Sequence, residues 1–271
     1  MLSLEFRTYI RELIEDFPGH AMRARREWGM TGIRIACAAY LSRSAARPIA
    51  SPVGKLATHN ELLNFLDNFC ANELRCSEVE ACLDTKEPTT VVDLGINVGV
   101  SARWWLTRSA AVRVIGIDMI AEALEFASER IAEMGLSNRW EPIHSAVGDR
   151  AETIRVAIDD PLEGTTSLLS KHGSEYREVQ IQTLDNLLEN LNIEEILLLK
   201  IDIEGYGGFA LQRASQTLRK TRYVCIECHD DAETELSGRR LVDEGFVLFK
   251  IKGRHMWWRR LGLQSLEDTR R

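Results

Sequence analysis

The chain has 271 residues, 45% of them apolar and 28% charged, which excludes disordered, collagen-like and membrane-bundle proteins and suits a globular α/β chain. Its formal charge of −7 argues against a general nucleic-acid binder, which needs a basic excess to neutralise phosphates. That charge is uneven. Residues 1–55 carry nine Lys/Arg against five Asp/Glu, and Lys250, Lys252, Arg254, Arg259, Arg260, Arg270 and Arg271 make the end basic again, so the ends could touch an anionic membrane surface or simply be solvated.

The opening MLSLEFRTYIRELIEDF mixes charges every few residues and has no apolar signal core, and the run 33–41 is too short to span a bilayer. Six cysteines without the close spacing of a small disulfide scaffold predict reduced thiols and a cytoplasmic protein.

Residues 1–87 read as helical, with breaks near Pro18, Pro48, Pro52 and Pro88, and are expected to form an N-terminal helical extension or lid. From residue 88 to 271 the pattern alternates strands and helices. The strand candidates are TTVVDLG (89–95), VRVIGID (112–118), PIHSAV (142–147), IRVAID (154–159), EVQIQTL (178–184), ILLLKID (196–202), RYVCIE (222–227), FVLFKI (246–251) and HMWWRR (255–260). Helices are expected over 120–134 and 209–218 between them. Such alternation implies right-handed crossovers and a doubly wound, largely parallel α/β sheet of about seven strands. Lys252-Gly253 is short enough for a hairpin, so an antiparallel pair closes the sheet.

Three motifs carry chemistry. Asp93-Leu94-Gly95-Ile96-Asn97-Val98-Gly99 is a strand running into a glycine turn and a helix. Gly95 and Gly99 let backbone approach a ligand, the helix start can hold a carboxylate, and Asp93 can accept from an ammonium group. Glycines kept for packing alone would look the same. A nicotinamide site is disfavoured, because G-x-G-x-x-G from Gly95 needs glycine where Asn97 and Val100 stand. The next strand ends in Asp118, placed to accept from ribose hydroxyls or to cap the following helix. Lys200-Ile201-Asp202-Ile203-Glu204-Gly205 then sets three ionisable groups at alternate positions at a strand's carboxyl end, the edge where open α/β sheets bind ligands.

Together with Thr165-Thr166-Ser167-Leu168 and Thr183-Leu184-Asp185, these motifs resemble the FkbM-type methyltransferases over residues 89–251. The resemblance implies a class I methyltransferase (Rossmann-like) fold, S-adenosyl-L-methionine as cofactor, and O-methylation of a sugar, glycan or related metabolite hydroxyl. It places Asp93, Gly95, Asn97 and Gly99 at the methionine end and Asp118 at the ribose, with Met119, Ala146 and Asp202 as further cofactor contacts. Two positions depart from the family: Asp118-Met119 replaces Glu-Pro, and Tyr206-Gly207-Gly208 follows Gly205 where relatives carry a small residue and then Glu.

A hydroxyl acceptor needs a base. Asp202 and Glu204 are the candidates, Lys200 holds their charge or polarises the acceptor, and His229 competes. Glu227 and His229 with Asp202 would also make an oxygen/nitrogen set for Mg²⁺, although no metal is expected. Cys225-Ile226-Glu227-Cys228-His229 matches a haem-attachment spacing, but a central strand and reduced thiols argue against it. Of Trp257-Trp258, one is expected in the core and one outside. The N-terminal helices and the loop 160–177 are expected to cover the acceptor, and a homo-oligomer is compatible with the chain. The alternative function is a non-catalytic adenosyl-ligand-binding protein that docks on a partner or membrane.

Overall fold

In the computed structural model, the described residues are 11, 14–42, 44–71, 73–84, 86–162, 166–169 and 173–262. They form two compact units, Met1–Arg75 and Cys76–Arg271.

The first unit is not wholly helical. Helix α1 (Phe17–Cys37) starts with proline in its first turn, where a missing N–H costs nothing, and bends at Gly29, whose φ is +58°. Strands β1 (Ser44–Ser51) and β2 (Gly54–Thr58) then form an antiparallel hairpin. Pro48 and Pro52, expected to separate helices, instead shape this hairpin. Pro48 lies where the register shifts, and Pro52 sits in a turn closed by the Ser51 hydroxyl, which donates to the Gly54 carbonyl at 2.7 Å. Helix α2 (His59–Phe65) begins with a reciprocal Thr58–Glu61 capping box. Ala24, Ile35, Leu56, Leu62, Phe65 and Phe69 are among the buried apolar side chains of this unit.

The second unit starts at residue 76, earlier than the expected 88, because helix α3 (Ser77–Leu83) belongs to it: Tyr223 Oη donates to Glu78 Oε1 at 3.1 Å. Its main elements follow as β3 (Thr89–Leu94), α4 (Val100–Arg108), β4 (Val112–Asp118), α5 (Ala121–Glu133) and β5 (Trp140–His144). Next come β6 (Ala146–Val147), β7 (Glu152–Ile158), β8 (Glu175–Gln182), α6 (Leu184–Leu188) and β9 (Ile196–Ile201). Helices α7 (Gly207–Gln212) and α8 (Ser215–Lys220), β10 (Thr221–Glu227), α9 (Asp231–Asp243), β11 (Phe246–Lys252) and β12 (His255–Arg260) complete it.

Seven strands make one sheet in the order β11-β12-β10-β9-β3-β4-β5. The five from β10 to β5 are parallel, and the β11–β12 hairpin joins antiparallel through β10–β12. The expected closing pair is therefore present. The strand expected over 142–147 is split between two sheets. After β5, the Ser145 amide donates back to the Asp118 carbonyl at 3.0 Å, and β6 pairs with β8 in a separate three-stranded sheet, β6-β8-β7. Alternation along a strand does not encode which sheet it joins.

Both faces of the main sheet are covered, so Trp257 and Trp258 are both buried, at 1% and 5% exposure, rather than one in and one out. The basic end is also partly consumed internally. Arg259 Nη1 lies 3.3 Å from Glu78, Arg260 Nε donates to the Thr221 carbonyl, and Lys250 Nζ sits 5.7 Å from the centre of the Trp257 ring. Arg270 and Arg271 lie outside the described residues. No helix among the described residues is long and apolar enough to cross a membrane.

Candidate functional site

The carboxyl ends of β3, β4, β9 and β10 converge on one edge of the sheet, and the ionisable residues of the three motifs collect there. Lys200 organises the group. It pairs across the strands with Asp93, its ammonium lies 3.1 Å from Asp93 Oδ1 and 3.3 Å from Asp202 Oδ2, and it donates to the Gly95 carbonyl at 2.7 Å. Burial alone would lower the Lys200 pKa, but the Asp202 and Asp93 carboxylates outweigh it and hold the ammonium firmly protonated. Asp202 is shifted the other way, lowered, since Lys200 and then His255 overcome the burial penalty. Lys200 and Asp202 thus form a fixed ion pair, a poor source of a base.

Asp93 sits at the carboxyl end of β3 beside Lys200. It is wholly buried, it accepts from the Ser101 hydroxyl at 2.7 Å, and its other oxygen faces Lys200. Burial pushes its pKa up against the pull of Lys200. Its carboxylate ties β3 to β9 through Lys200, and its Oδ1 is buried without a hydrogen bond. The two glycines also serve contacts inside the chain. At Gly95, with φ of +80°, an added Cβ would stand 1.7 Å from the Asp202 carbonyl oxygen; at Gly99, with φ of +70°, it would stand 2.6 Å from Ala127 Cβ. These glycines are required by the close approach of β9 and α5.

Asn97 offers a second such acceptor at the turn. Its backbone sits at φ +50°, and its Oδ1 is buried without a hydrogen-bond partner. Among the described residues no side chain caps α4, so the amides of its first turn, close after Asn97, have no side-chain capping partner. Asp118 closes the other side. Its Oδ2 accepts from the Ile96 and Asn97 amides at 2.8 and 3.2 Å and its Oδ1 from the Ile120 amide at 2.9 Å, so Asp118 steadies the turn and does not act as the helix cap, a position held by Ile120. Burial raises its pKa in spite of these donors. Met119 packs beside Ala146, which is 4% exposed, and the Met119 carbonyl lies 3.0 Å from His144 Nε2.

Glu204 lies in the turn after β9 at φ +51°, and its carbonyl accepts from the Ser167 hydroxyl at 2.5 Å. Ser167 belongs to the Thr165–Leu168 motif, of which Thr165 lies outside the described residues, as do 163–164 and 170–172 of the expected covering loop. The Glu204 carboxylate is 31% exposed and stands 3.6 Å from His229 Nδ1. Burial and then the Asp202 charge raise its pKa. Glu227, at the end of β10, is pushed up to about 8 by burial and by Asp202, with which it shares a hydrogen bond. His255, its cross-strand neighbour, is driven down to about 4 by burial.

Sequence reading missed Glu233. This buried carboxylate in the first turn of α9 accepts from the Gly207 amide at 2.8 Å through Oε1 and from the His229 amide at 2.8 Å through Oε2. An added Cβ at Gly207 would stand 3.0 Å from Glu233 Oε1, so this acid packs directly against the turn after Gly205. Its only local signal was a helix-start position behind Asp230. Of the haem-like spacing, Cys225 and Cys228 are both buried free thiols.

Strand order and an acid-lined carboxyl edge define a class I methyltransferase fold. The FkbM methyltransferase domain model matches residues 64–251, and the chain belongs to that family, whose methyl donor is S-adenosylmethionine. Among curated relatives, it is 23% identical to the 2-O-methyltransferase NoeI of Sinorhizobium fredii over 74% of this chain and 82% of that protein. It is 25% identical to the release factor glutamine methyltransferase of Chlorobaculum tepidum over 61% of this chain, and spans only 53% of that protein. Among solved structures, a methyltransferase FkbM from Methylobacillus flagellatus aligns with a TM-score of 0.45 at 15% identity, over 92% of this chain and 60% of that one.

Proposed function

We propose that the protein transfers the methyl group of S-adenosylmethionine to a hydroxyl of a sugar, glycan or related metabolite. The observation that carries this reading is the orphaned Asn97 acceptor, on the turn whose amides the Asp118 carboxylate holds. A buried amide oxygen without a donor suits the cofactor's ammonium group, the first-turn amides of α4 suit its carboxylate, and Asp118 has acceptor capacity left for ribose hydroxyls. Met119 and Ala146 supply apolar surface beside that carboxylate.

The cofactor supplies an electrophilic methyl on a positively charged sulfur. The chain's task is to align the acceptor, exclude water and take a proton. Glu204 is the base we assign: it is partly exposed, its proton affinity is raised, and Ser167 holds its backbone. Lys200 fixes Asp202 and Asp93 beneath it. The resemblance to NoeI favours oxygen as the acceptor atom. The free thiols fit a cytoplasmic setting.

Two measurements test the reading. Calorimetry should show one site for S-adenosylmethionine or its demethylated product; no heat with either at high protein concentration would remove it. Mass spectrometry of a strain lacking the protein should reveal a hydroxylated metabolite lighter by one methylene, while binding without any such metabolite would favour a non-catalytic adenosyl-binding protein.

A further inference from the structure

We propose that Asp202, Glu227 and His229 form a binding site for one divalent cation of the Mg²⁺/Mn²⁺ class, at the junction of β9 and β10. One carboxylate oxygen of each acid and one ring nitrogen of His229 lie within 4.8 Å of one another. Two donors on opposite sides of such an ion stand about 4.2 Å apart, so small side-chain rotations close the set. Two carboxylates with one imidazole suit Mn²⁺ and Mg²⁺ better than a thiolate-seeking metal.

Independent features point the same way. His229 Nε2 is buried with no hydrogen-bond partner, while Nδ1 faces Glu204 Oε2 at 3.6 Å. That is the arrangement of a metal-ligating histidine, with one nitrogen oriented by a carboxylate and the other left for the ion. His229 is also fixed through its backbone amide by Glu233, and Glu227 is backed by His255, 4% exposed, whose Nε2 stands 3.6 Å from Glu227 Oε2. Asp93 and Asp202 stand 3.1 and 3.3 Å from the Lys200 ammonium, so one cation serves two acids at this strand end. Resting on the proposed O-methylation, the ion's place beside Glu204 lets it bind the acceptor hydroxyl and make its proton easier for Glu204 to remove.

The test uses the full chain, stripped of metal with EDTA and titrated with MnCl₂ while free Mn²⁺ is followed by electron paramagnetic resonance. One bound ion per chain is expected, with affinity reduced at least tenfold in Glu227→Gln and His229→Gln but unchanged in the exposed control Glu235→Gln. In the wild-type protein, spin-echo modulation from a directly bonded imidazole nitrogen is expected, a readout that does not depend on any variant folding. No binding at millimolar Mn²⁺, no nitrogen coupling, or wild-type affinity in both site variants would overturn the proposal. Calorimetry with S-adenosylmethionine on the same samples separates the two readings: metal without cofactor binding sinks the methyl-transfer reading alone, and the reverse sinks the metal site alone.

Discussion

Replacing Lys200 by Met keeps the side chain's length and apolar stem but removes the ammonium that neutralises Asp93 and Asp202. Asp93 is wholly buried, and its remaining side-chain hydrogen bond comes from Ser101, so the variant strands a charge in the core between β3 and β9. Breaking a buried pair from one side costs about 3–5 kcal/mol. Hydrogen exchange of the Val92, Leu94 and Leu199 amides reads this locally, without assuming that the two units unfold together. Protection should fall by roughly two to three and a half powers of ten at pH 7.5. The loss should shrink on acidification. Burial already raises Asp93 with Lys200 present, and without it the folded variant binds a proton that the unfolded chain, titrating near its ordinary value, releases. A raised carboxyl stabilises the fold at low pH and loses that contribution as pH climbs through the folded value, so the variant should be more stable at pH 5 than at pH 8. Lys200→Met with Asp93→Asn should recover much of the loss. A fall in protection below tenfold at pH 7.5, with no pH dependence, would refute the idea that this pair holds the two strands together.

Asp118→Ala should weaken S-adenosylmethionine about 10–100-fold by calorimetry, because it removes both a charged ribose acceptor and the partner of the Ile96 and Asn97 amides. Glu204→Gln should leave cofactor affinity unchanged but lower turnover of the accumulated metabolite about 10²–10⁴-fold; in the wild type, the rate should fall as pH drops through the raised Glu204 pKa, since only the carboxylate accepts a proton. Gly95→Ala should cost at least about 2 kcal/mol in thermal unfolding, from φ of +80° and a Cβ driven into the Asp202 carbonyl. Arg139 Nη1 donates to the carbonyls of Leu106, Ser109 and Val112, at 2.9, 2.9 and 2.8 Å, so Arg139→Ala should lose about 2–3 kcal/mol by the same assay.

Local pattern was enough for much of the methyltransferase unit. The strand runs beginning at Thr89, Val112, Ile196 and Phe246 were legible because β-branched runs and glycine turns act over a few residues, and Asp118, Asp202 and Glu204 were legible because acids interrupt those runs. The β1–β2 hairpin was not, since Pro48 and Pro52 break a helix and shape a hairpin turn with the same chemistry.

What the sequence determined by itself was the alternation of strands and helices along the methyltransferase unit and the turn chemistry after β3. Only the tertiary structure decided which charges meet. The pairing of Asp93 with Lys200 follows from the register of two strands more than a hundred residues apart, and it sets a buried ammonium beside the acid that ends β3. Glu233 reached Gly207 and His229 from a separate helix for the same reason. A side chain's type is written locally, but its partner depends on how distant segments pack, because charge pairing acts over a few ångströms of space and not along the chain.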